Sequence, residues 1–125
     1  EVHLFECAID LLSYATLCKY SGKNWRDMNL VSLSGVYAPK KNMEESKVPS
    51  ALAVFLKNYP NIQRVVLHLD NDYAGRQATK ALQIRLSDRY EIIDDPPPYG
   101  KDFNDFLMSK MNLTPRKQTE RSYER

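Results

Sequence analysis

The sequence predicts an α/β fold of about four mostly parallel strands with helices on both faces of the sheet. Short apolar stretches that favour strands alternate with longer stretches in which apolar residues recur at helical spacing. Each connection is long enough to hold a helix, and parallel strands need such crossovers. The 125 residues suffice for one domain of this kind.

Four stretches are predicted to be strands because they are short, apolar and rich in β-branched or aromatic residues. The third is the most strand-like, and the second runs into a Ser-Gly turn. They are VHLF at residues 2–5, LVSLSG at 30–35, IQRVVLHL at 62–69 and YEII at 90–93.

Four helices are predicted between and after these strands. Gly22 is placed to stop the first helix, and Pro60 prevents the second from continuing far. Ser50 and Asp102 are predicted to cap the second and the fourth. Trp25 is predicted to cover an edge of the sheet. The helices are expected from residue 8 to Gly22 and over 51–59, 75–86 and 103–111.

The composition is typical of a water-soluble globular protein, with 42% hydrophobic and 27% charged residues. No apolar run approaches the length of a membrane span, and no signal peptide is visible. Cys7 and Cys18 form neither a CxxC pair nor a zinc-ligand spacing. We therefore expect free thiols in a reducing compartment, which favours a cytoplasmic location without a membrane partner.

The predicted domain covers residues 1–111, and residues 112–125 are predicted to be a basic C-terminal tail or linker. A basic tail of this kind can contact nucleic acid, but it is more often a solvated chain end. The chain opens with Glu1 and not with Met. We interpret the sequence as a fragment of a longer protein, whose other domains would be its partners.

Carboxylates follow three of the four predicted strands. Glu6 follows the first strand, Asp70 and Asp72 follow the third, and Asp94 and Asp95 follow the fourth. In parallel α/β sheets the working site lies at these carboxyl ends. Residues two apart on an extended chain point the same way, so Asp70 and Asp72 are expected to face one point. Clustered carboxylates without His or Cys suit Mg²⁺ or Mn²⁺, which indicates phosphoryl or phosphodiester chemistry.

Each of these residues also has a simpler interpretation. Asp and Asn are common turn residues after a strand, so a lone D-x-D is a weak signal. Glu6 could be a surface carboxylate at a helix N-terminus. Asp102 could be a plain helix cap, and Arg76 and Lys101 could be solvated charges. The joint pattern is more specific than any one of its parts.

The combined pattern resembles a Toprim domain, the topoisomerase–primase module, which has a Rossmann-like fold. The matching residues are Glu6 in LFECAID, Gly35 in SLSG, and Asp70 and Asp72 in LDNDYAGR. With ECAIDLLS, DNDYAGR and KDFND, the chain is most similar to the Toprim-like domains of plasmid, phage and mobile-element proteins, including primases and relaxase-associated proteins.

The resemblance implies a metal site with an acid or base beside it. Asp70 and Asp72 would bind Mg²⁺ or Mn²⁺. Glu6 would act as general acid or base, or as a further metal ligand. Asp10 and Asp102 would support these ligands or bind a second metal ion.

The resemblance also implies roles for residues that are not metal ligands. Arg76 and Lys101 would contact phosphates near the metal. Gly35 and Gly75 would let the backbone approach the site closely. The family commonly has Gly directly after the Glu, where this chain has Cys7.

By resemblance, the predicted function is metal-dependent phosphodiester or nucleotidyl-transfer chemistry on DNA or RNA. A primase-like role, or one in the replication or mobilisation of mobile elements, ranks above a nuclease and a nuclease above a topoisomerase. The alternative is a non-catalytic Toprim-like domain that positions DNA or a partner domain, which Cys7 favours. A phosphatase of the haloacid-dehalogenase type is a lesser alternative. In those enzymes the D-x-D pair follows the first core strand, whereas in this chain it follows the third predicted strand.

Overall fold

The computed structural model describes residues 1–34, 41 and 47–111. The predicted site glycine Gly35 and the predicted tail 112–125 lie outside the described residues.

The described residues form one sheet of four parallel strands in the order β2-β1-β3-β4. The prediction of an α/β fold with a parallel sheet is confirmed, and the arrangement is Rossmann-like. The strands are β1 (Val2–Phe5), β2 (Asn29–Ser32), β3 (Arg64–Leu67) and β4 (Glu91–Asp94).

A helix follows each strand, as the sequence predicts. A short 3-10 turn at Trp25–Asp27 also leads into β2. Among the described residues, no helix is both long enough and apolar enough to cross a bilayer. The four helices are α1 (Ala8–Tyr20), α2 (Ser50–Asn58), α3 (Tyr73–Leu86) and α4 (Phe103–Lys110).

Several element boundaries differ from the prediction by a few residues. The third strand covers Arg64–Leu67 and not 62–69, because only these residues pair with β4. The second strand ends at Ser32 and not at residue 35. Helix α3 begins at Tyr73 and not at Gly75, since Asp72 already caps it.

The prediction that Ser50 caps α2 is wrong. Pro49 occupies the cap position, with φ −55° and ψ 139°, and makes no side-chain cap hydrogen bond. Ser50 is therefore already the first helical residue.

One face of the sheet carries the aliphatic core. Val2 and Leu4 of β1 and Val65 and Leu67 of β3 are fully buried there. Burial of each such side chain contributes about 1.5–3 kcal/mol to folding. Helices α2 and α3 cover this face with Leu52, Leu56, Ala78, Leu82 and Leu86.

The opposite face is aromatic and partly polar. Phe5 of β1 stacks on His68, with ring centroids 4.9 Å apart. Tyr14 of α1 and Phe103 of α4 pack on the same histidine at 4.4 Å and 5.3 Å. Helices α1 and α4 therefore cover this second face, which confirms the prediction of helices on both faces.

A candidate divalent-metal centre

Three carboxylates converge at the carboxyl ends of β1 and β3. One oxygen atom from each of Asp10, Asp70 and Asp102 lies within 4.8 Å of the other two. Asp10 comes from the first turn of α1, Asp70 from the loop after β3, and Asp102 from the N-cap of α4. Three separate elements thus supply the cluster.

Asp10 is held in place by hydrogen bonds from both sides. It is only 2% exposed. The Cys7 thiol donates to its Oδ2 at 3.1 Å, and the backbone amide of Asn104 donates to its Oδ1 at 3.4 Å. Burial raises the pKa of Asp10 despite these bonds. The side chain is oriented, but its charge is poorly compensated.

Asp102 reaches the cluster because its loop is tied to the loop after β3. The backbone amide of Asn71 donates to the carbonyl oxygen of Lys101 at 2.6 Å. Asp105 stabilises the same turn by accepting from the Lys101 amide at 3.0 Å. Asp102 itself accepts from the Asp105 amide at 2.8 Å, as an N-cap does. Asp102 is therefore both a helix cap and a member of the cluster.

Asp70 carries the strongest electrostatic penalty of the three. Burial, and next the charge of Glu6, raise the pKa of its carboxyl from 3.8 to about 7. Asp10, Asp102 and Asp72 add smaller contributions in the same direction. A divalent cation would remove this penalty, because it favours the charged form of every carboxylate around it.

Glu6 lies beside the cluster with one oxygen unsatisfied. Its Oε2 is buried and has no hydrogen-bond partner in the part of the chain that the structure describes. Burial raises the pKa of Glu6, which a hydrogen bond from the Asp70 backbone partly opposes. Such an orphaned acceptor fits a site that holds a cation or a transferable proton.

Asp72 is not one of the three carboxylates of the cluster. Its Oδ1 accepts from the backbone amide of Gly75 at 2.7 Å and caps α3, while its Oδ2 lies 4.0 Å from Nζ of Lys101. The two-residue alternation of a strand does not apply here, because β3 ends at Leu67. The charge of Asp72 still raises the pKa of Glu6. Its predicted role as a metal ligand stays a prediction.

Gly75 lies against the backbone of Asp70. A Cβ on residue 75 would overlap the Asp70 carbonyl oxygen. The first turn of α3 can therefore approach the site only with glycine at this position.

Arg76 and Lys101 both lie at this edge of the sheet. Nη1 of Arg76 donates to Asp94 Oδ2 at 2.8 Å, and its Nε is buried without a partner among the described residues. Lys101 is exposed on the loop that carries Asp102. Their predicted contacts with phosphate stay predictions.

Sequence reasoning missed the part that Asn104 plays. Its amide contacts Asp10, and its side-chain oxygen accepts from Ser13 at 3.3 Å. The KDFND motif carried a usable signal. A residue two positions after a helix N-cap has a free backbone amide, and such an amide suits a carboxylate.

The donor set fits a hard divalent cation. The clustered oxygens all belong to carboxylates, which suit Mg²⁺ or Mn²⁺ better than zinc. The backbone of Cys7 is extended, with φ −144° and ψ 167°, a conformation that any residue can adopt, so this position does not require glycine. An Asp cluster that could hold a metal is thus present.

The parallel sheet, the helices on both of its faces and the carboxylates at its carboxyl edge together give the class of this protein. It is an α/β domain with a candidate divalent-metal site. The family model described as Toprim-like matches residues 3–107, and the chain belongs to this family. The predicted resemblance is confirmed at the level of the Toprim domain, which fits a nucleic-acid-related metal-binding module. The comparison with curated proteins found no match, and the comparison with solved structures found none either.

Proposed function

We propose that this chain is a Toprim catalytic module for Mg²⁺- or Mn²⁺-dependent phosphodiester or nucleotidyl-transfer chemistry on DNA or RNA. One observation carries the proposal: oxygens of Asp10, Asp70 and Asp102 converge within 4.8 Å. Gathering carboxylates in a partly buried place is unfavourable unless a cation neutralises them. A primase-like or mobile-element role ranks above a nuclease, and a nuclease above a topoisomerase.

In this proposal Asp10, Asp70 and Asp102 hold the cation, and Asp72 adds negative charge beside it. The bound cation would polarise a phosphoryl oxygen and stabilise the charge that develops on it. Asp102 keeps its second role as the cap of α4.

Glu6 is proposed as the general acid or base. Its raised pKa brings proton transfer closer to neutral pH. In nucleotidyl transfer Glu6 would accept the proton of the attacking hydroxyl. In strand cleavage it would donate a proton to the leaving oxygen.

Lys101 and Arg76 are proposed to contact substrate phosphates near the cation. Lys101 is exposed and extends from the loop that carries Asp102. The partly buried Arg76 would first have to loosen its ion pair with Asp94. Contacts to phosphates position a strand but do not read its sequence.

We further propose that the Toprim domain spans residues 1–111, that other domains of a longer chain select the substrate, and that the protein is cytoplasmic. The free thiols Cys7 and Cys18 support a reducing compartment.

A non-catalytic Toprim-like domain is the second candidate. The observation that favours it is the hydrogen bond from the Cys7 thiol to Asp10 Oδ2. This bond occupies one oxygen of a proposed ligand. A domain without a bound metal would position DNA or a partner domain.

The test is a product analysis with labelled single-stranded DNA, the four nucleoside triphosphates and Mg²⁺ or Mn²⁺. Longer products indicate polymerisation and shorter ones a nuclease. A relaxed plasmid in a parallel reaction indicates a topoisomerase, and phosphate released from a small phosphoester without nucleic acid indicates a phosphatase. We expect products that need the metal and that Glu6→Gln loses, while Asp88→Asn, on an exposed residue after α3, keeps them. No product from a folded protein that also binds no metal would favour the non-catalytic domain.

A further inference from the structure

A groove runs along the outer side of α1, away from the carboxylate cluster. Near the start of the helix its wall is apolar, with Leu11 and Leu12. At the other end it is basic and aromatic. Lys19 is in the last turn of α1, Lys23 follows the helix, and Trp25 and Arg26 belong to the 3-10 turn.

Trp25 is available for stacking at this end of the groove. It was predicted to cover an edge of the sheet, and it does lie in the turn that leads into the edge strand β2. The side chain nevertheless remains 36% exposed. The guanidinium carbon of Arg26 lies 5.2 Å from the centre of the indole ring. A cation held on an aromatic ring in this way presents a combined stacking surface.

None of the three cations of the groove forms an ion pair with a carboxylate within residues 1–34, 41 and 47–111, although the charge of Lys23 partly opposes the rise in the pKa of Asp95. No carboxylate of these residues lines the groove. The neighbouring acid Asp27 accepts instead from the side-chain amide of Asn24 at 2.9 Å. The charge of Lys19, Lys23 and Arg26 is therefore available to an anionic partner.

We propose that the groove between α1 and the 3-10 turn binds single-stranded nucleic acid, with a base stacked on Trp25 and phosphates on Lys19, Lys23 and Arg26. Aromatic rings combined with positive charge are how proteins hold single strands without reading their sequence. A single strand fits better than a duplex, because only an unpaired base presents a free face to the indole. This inference rests on the proposed function insofar as nucleic acid is the substrate.

The position of the groove explains why such a surface would be useful. The proposed metal site is rich in carboxylates and repels phosphates until a cation binds. The distance from Asp10 to Lys19 along α1 is roughly 14 Å at the usual helical rise. Nine residues are about two and a half helical turns, so Lys19 lies on the face of α1 opposite Asp10, and a strand held there is anchored to the same helix by a surface that does not depend on the metal.

The test uses the fluorescence of Trp25, which is the only tryptophan in the chain. The protein is titrated with a short single-stranded DNA in EDTA. We expect quenching, and an affinity that falls with salt with a log–log slope of about −2, which three phosphate contacts would give. Absence of quenching from the folded protein overturns the proposal.

Charge and ring variants locate the binding surface, with labelled DNA as the probe. Lys19→Gln/Lys23→Gln should reduce the salt slope to about −0.7, since one contact remains. The matched control Lys57→Gln/Lys80→Gln removes two exposed lysines from α2 and α3 and should leave binding unchanged. Trp25→Ala should weaken binding about tenfold, and Trp25→Phe should restore most of it.

Two further outcomes contradict the proposal. Equal losses in both lysine double variants would show that binding follows total charge and not the groove. Full competition by a Glu-rich peptide, without quenching by DNA, would assign the groove to an acidic protein segment. Circular dichroism confirms that each variant is folded. Because the DNA titration contains EDTA, a negative result says nothing about metal binding. Likewise, a protein that binds no metal can still be tested for DNA binding.

Discussion

The carbonyl oxygen of Asp70 lies so close to Gly75 that a Cβ at position 75 would overlap it. This contact joins the loop that carries a proposed metal ligand to the first turn of α3. The cap from Asp72 to the Gly75 amide, at 2.7 Å, closes the same turn. The position of Asp70 therefore depends on the absence of a side chain five residues later.

Gly75→Ala should move Asp70 and destabilise the fold. The new methyl group meets backbone and not a flexible side chain, so we expect a loss of about 3 kcal/mol and a large loss of Mn²⁺ affinity. Chemical denaturation and calorimetry measure the two effects. Gly22→Ala is the matched control: Gly22 has φ +83° and open space around it, so the change should cost about 1–2 kcal/mol and leave metal binding intact. Unchanged metal affinity in Gly75→Ala would refute this link.

Asp72 should show separable capping and charge effects. Asn caps helices about as well as Asp, so Asp72→Asn should change the free energy of unfolding little, while Asp72→Ala should lower it by about 1 kcal/mol. Both variants should weaken metal-dependent activity, because both remove the negative charge that Asp72 adds beside the proposed cation. Thermal unfolding beside the product assay gives both values. Equal stability of the two variants would show that the cap contributes nothing.

Metal-free Asp70 should make the protein less stable as the pH rises. Its pKa is about 7 when folded, against an ordinary value of 3.8, so the folded state binds the extra proton between these values. Stability is therefore lost as the pH rises from about 4 to 7. At pH 8 in EDTA, Asp70→Asn should be more stable than the wild type by about 1–3 kcal/mol. Denaturation across this pH range checks the sign, and a less stable Asp70→Asn would contradict it.

Mg²⁺ should reverse the order of stability of the wild type and Asp70→Asn. A bound cation stabilises the ionised carboxylate of the wild type, whereas the amide of Asp70→Asn binds it poorly. Repeating the denaturation with saturating Mg²⁺ should favour the wild type. Asp88→Asn, which removes an exposed carboxylate, should follow the wild type under both conditions.

The buried pair His3 and His68 should make the protein more stable as the pH rises, which is opposite to the effect of metal-free Asp70. Nδ1 of His68 lies 2.9 Å from the carbonyl oxygen of Asp95 and must donate to it, so its Nε2 accepts from His3 at 2.7 Å. Protonating His68 would place a positive charge in this buried aromatic layer, which burial disfavours. Burial lowers the pKa of His68 to about 4. Stability is therefore complete above about pH 6.5 and is lost as the pH falls toward 4.

This acid sensitivity is best measured in the Asp70→Asn background, where the opposing effect of Asp70 is absent. Between about pH 4 and 6.5 the free energy of unfolding should rise with pH by about 1.4 kcal/mol per unit for each proton. Adding His68→Phe should reduce the slope by one proton, because Phe does not titrate. The fold should be kept, because a Phe side chain fits among the rings of Phe5, Tyr14 and Phe103. An unchanged slope would assign the proton uptake elsewhere.

The order of elements could be predicted from the sequence because each strand and helix has its own local pattern. The ends of β3 could not, since pairing with β1 and β4 decides how much of 62–69 is strand. The position of Asp72 outside the three-carboxylate cluster was equally hidden. It depends on a loop held by the bond from Asn71 to Lys101, residues thirty positions apart in the sequence.

The candidate site could likewise be predicted from the sequence only in part. Glu6, Asp10, Asp70 and Asp102 could be selected from motifs, because parallel strands bring their carboxyl ends to one edge. The convergence of Asp10 and Asp102 depends on the packing of α1 against α4. No local pattern in the sequence reports that packing.

Calorimetric titration with Mn²⁺ tests the central claim, that the carboxylate cluster holds a divalent cation. The wild type and Asp88→Asn should bind Mn²⁺ alike, and Asp10→Asn and Asp70→Asn should lose binding while circular dichroism shows them folded. The titration is repeated with a short single-stranded DNA, because substrate phosphates can complete a Mg²⁺-type site. A folded wild type that binds no Mn²⁺ under either condition, or Asn variants that bind as well as the wild type, would contradict the account.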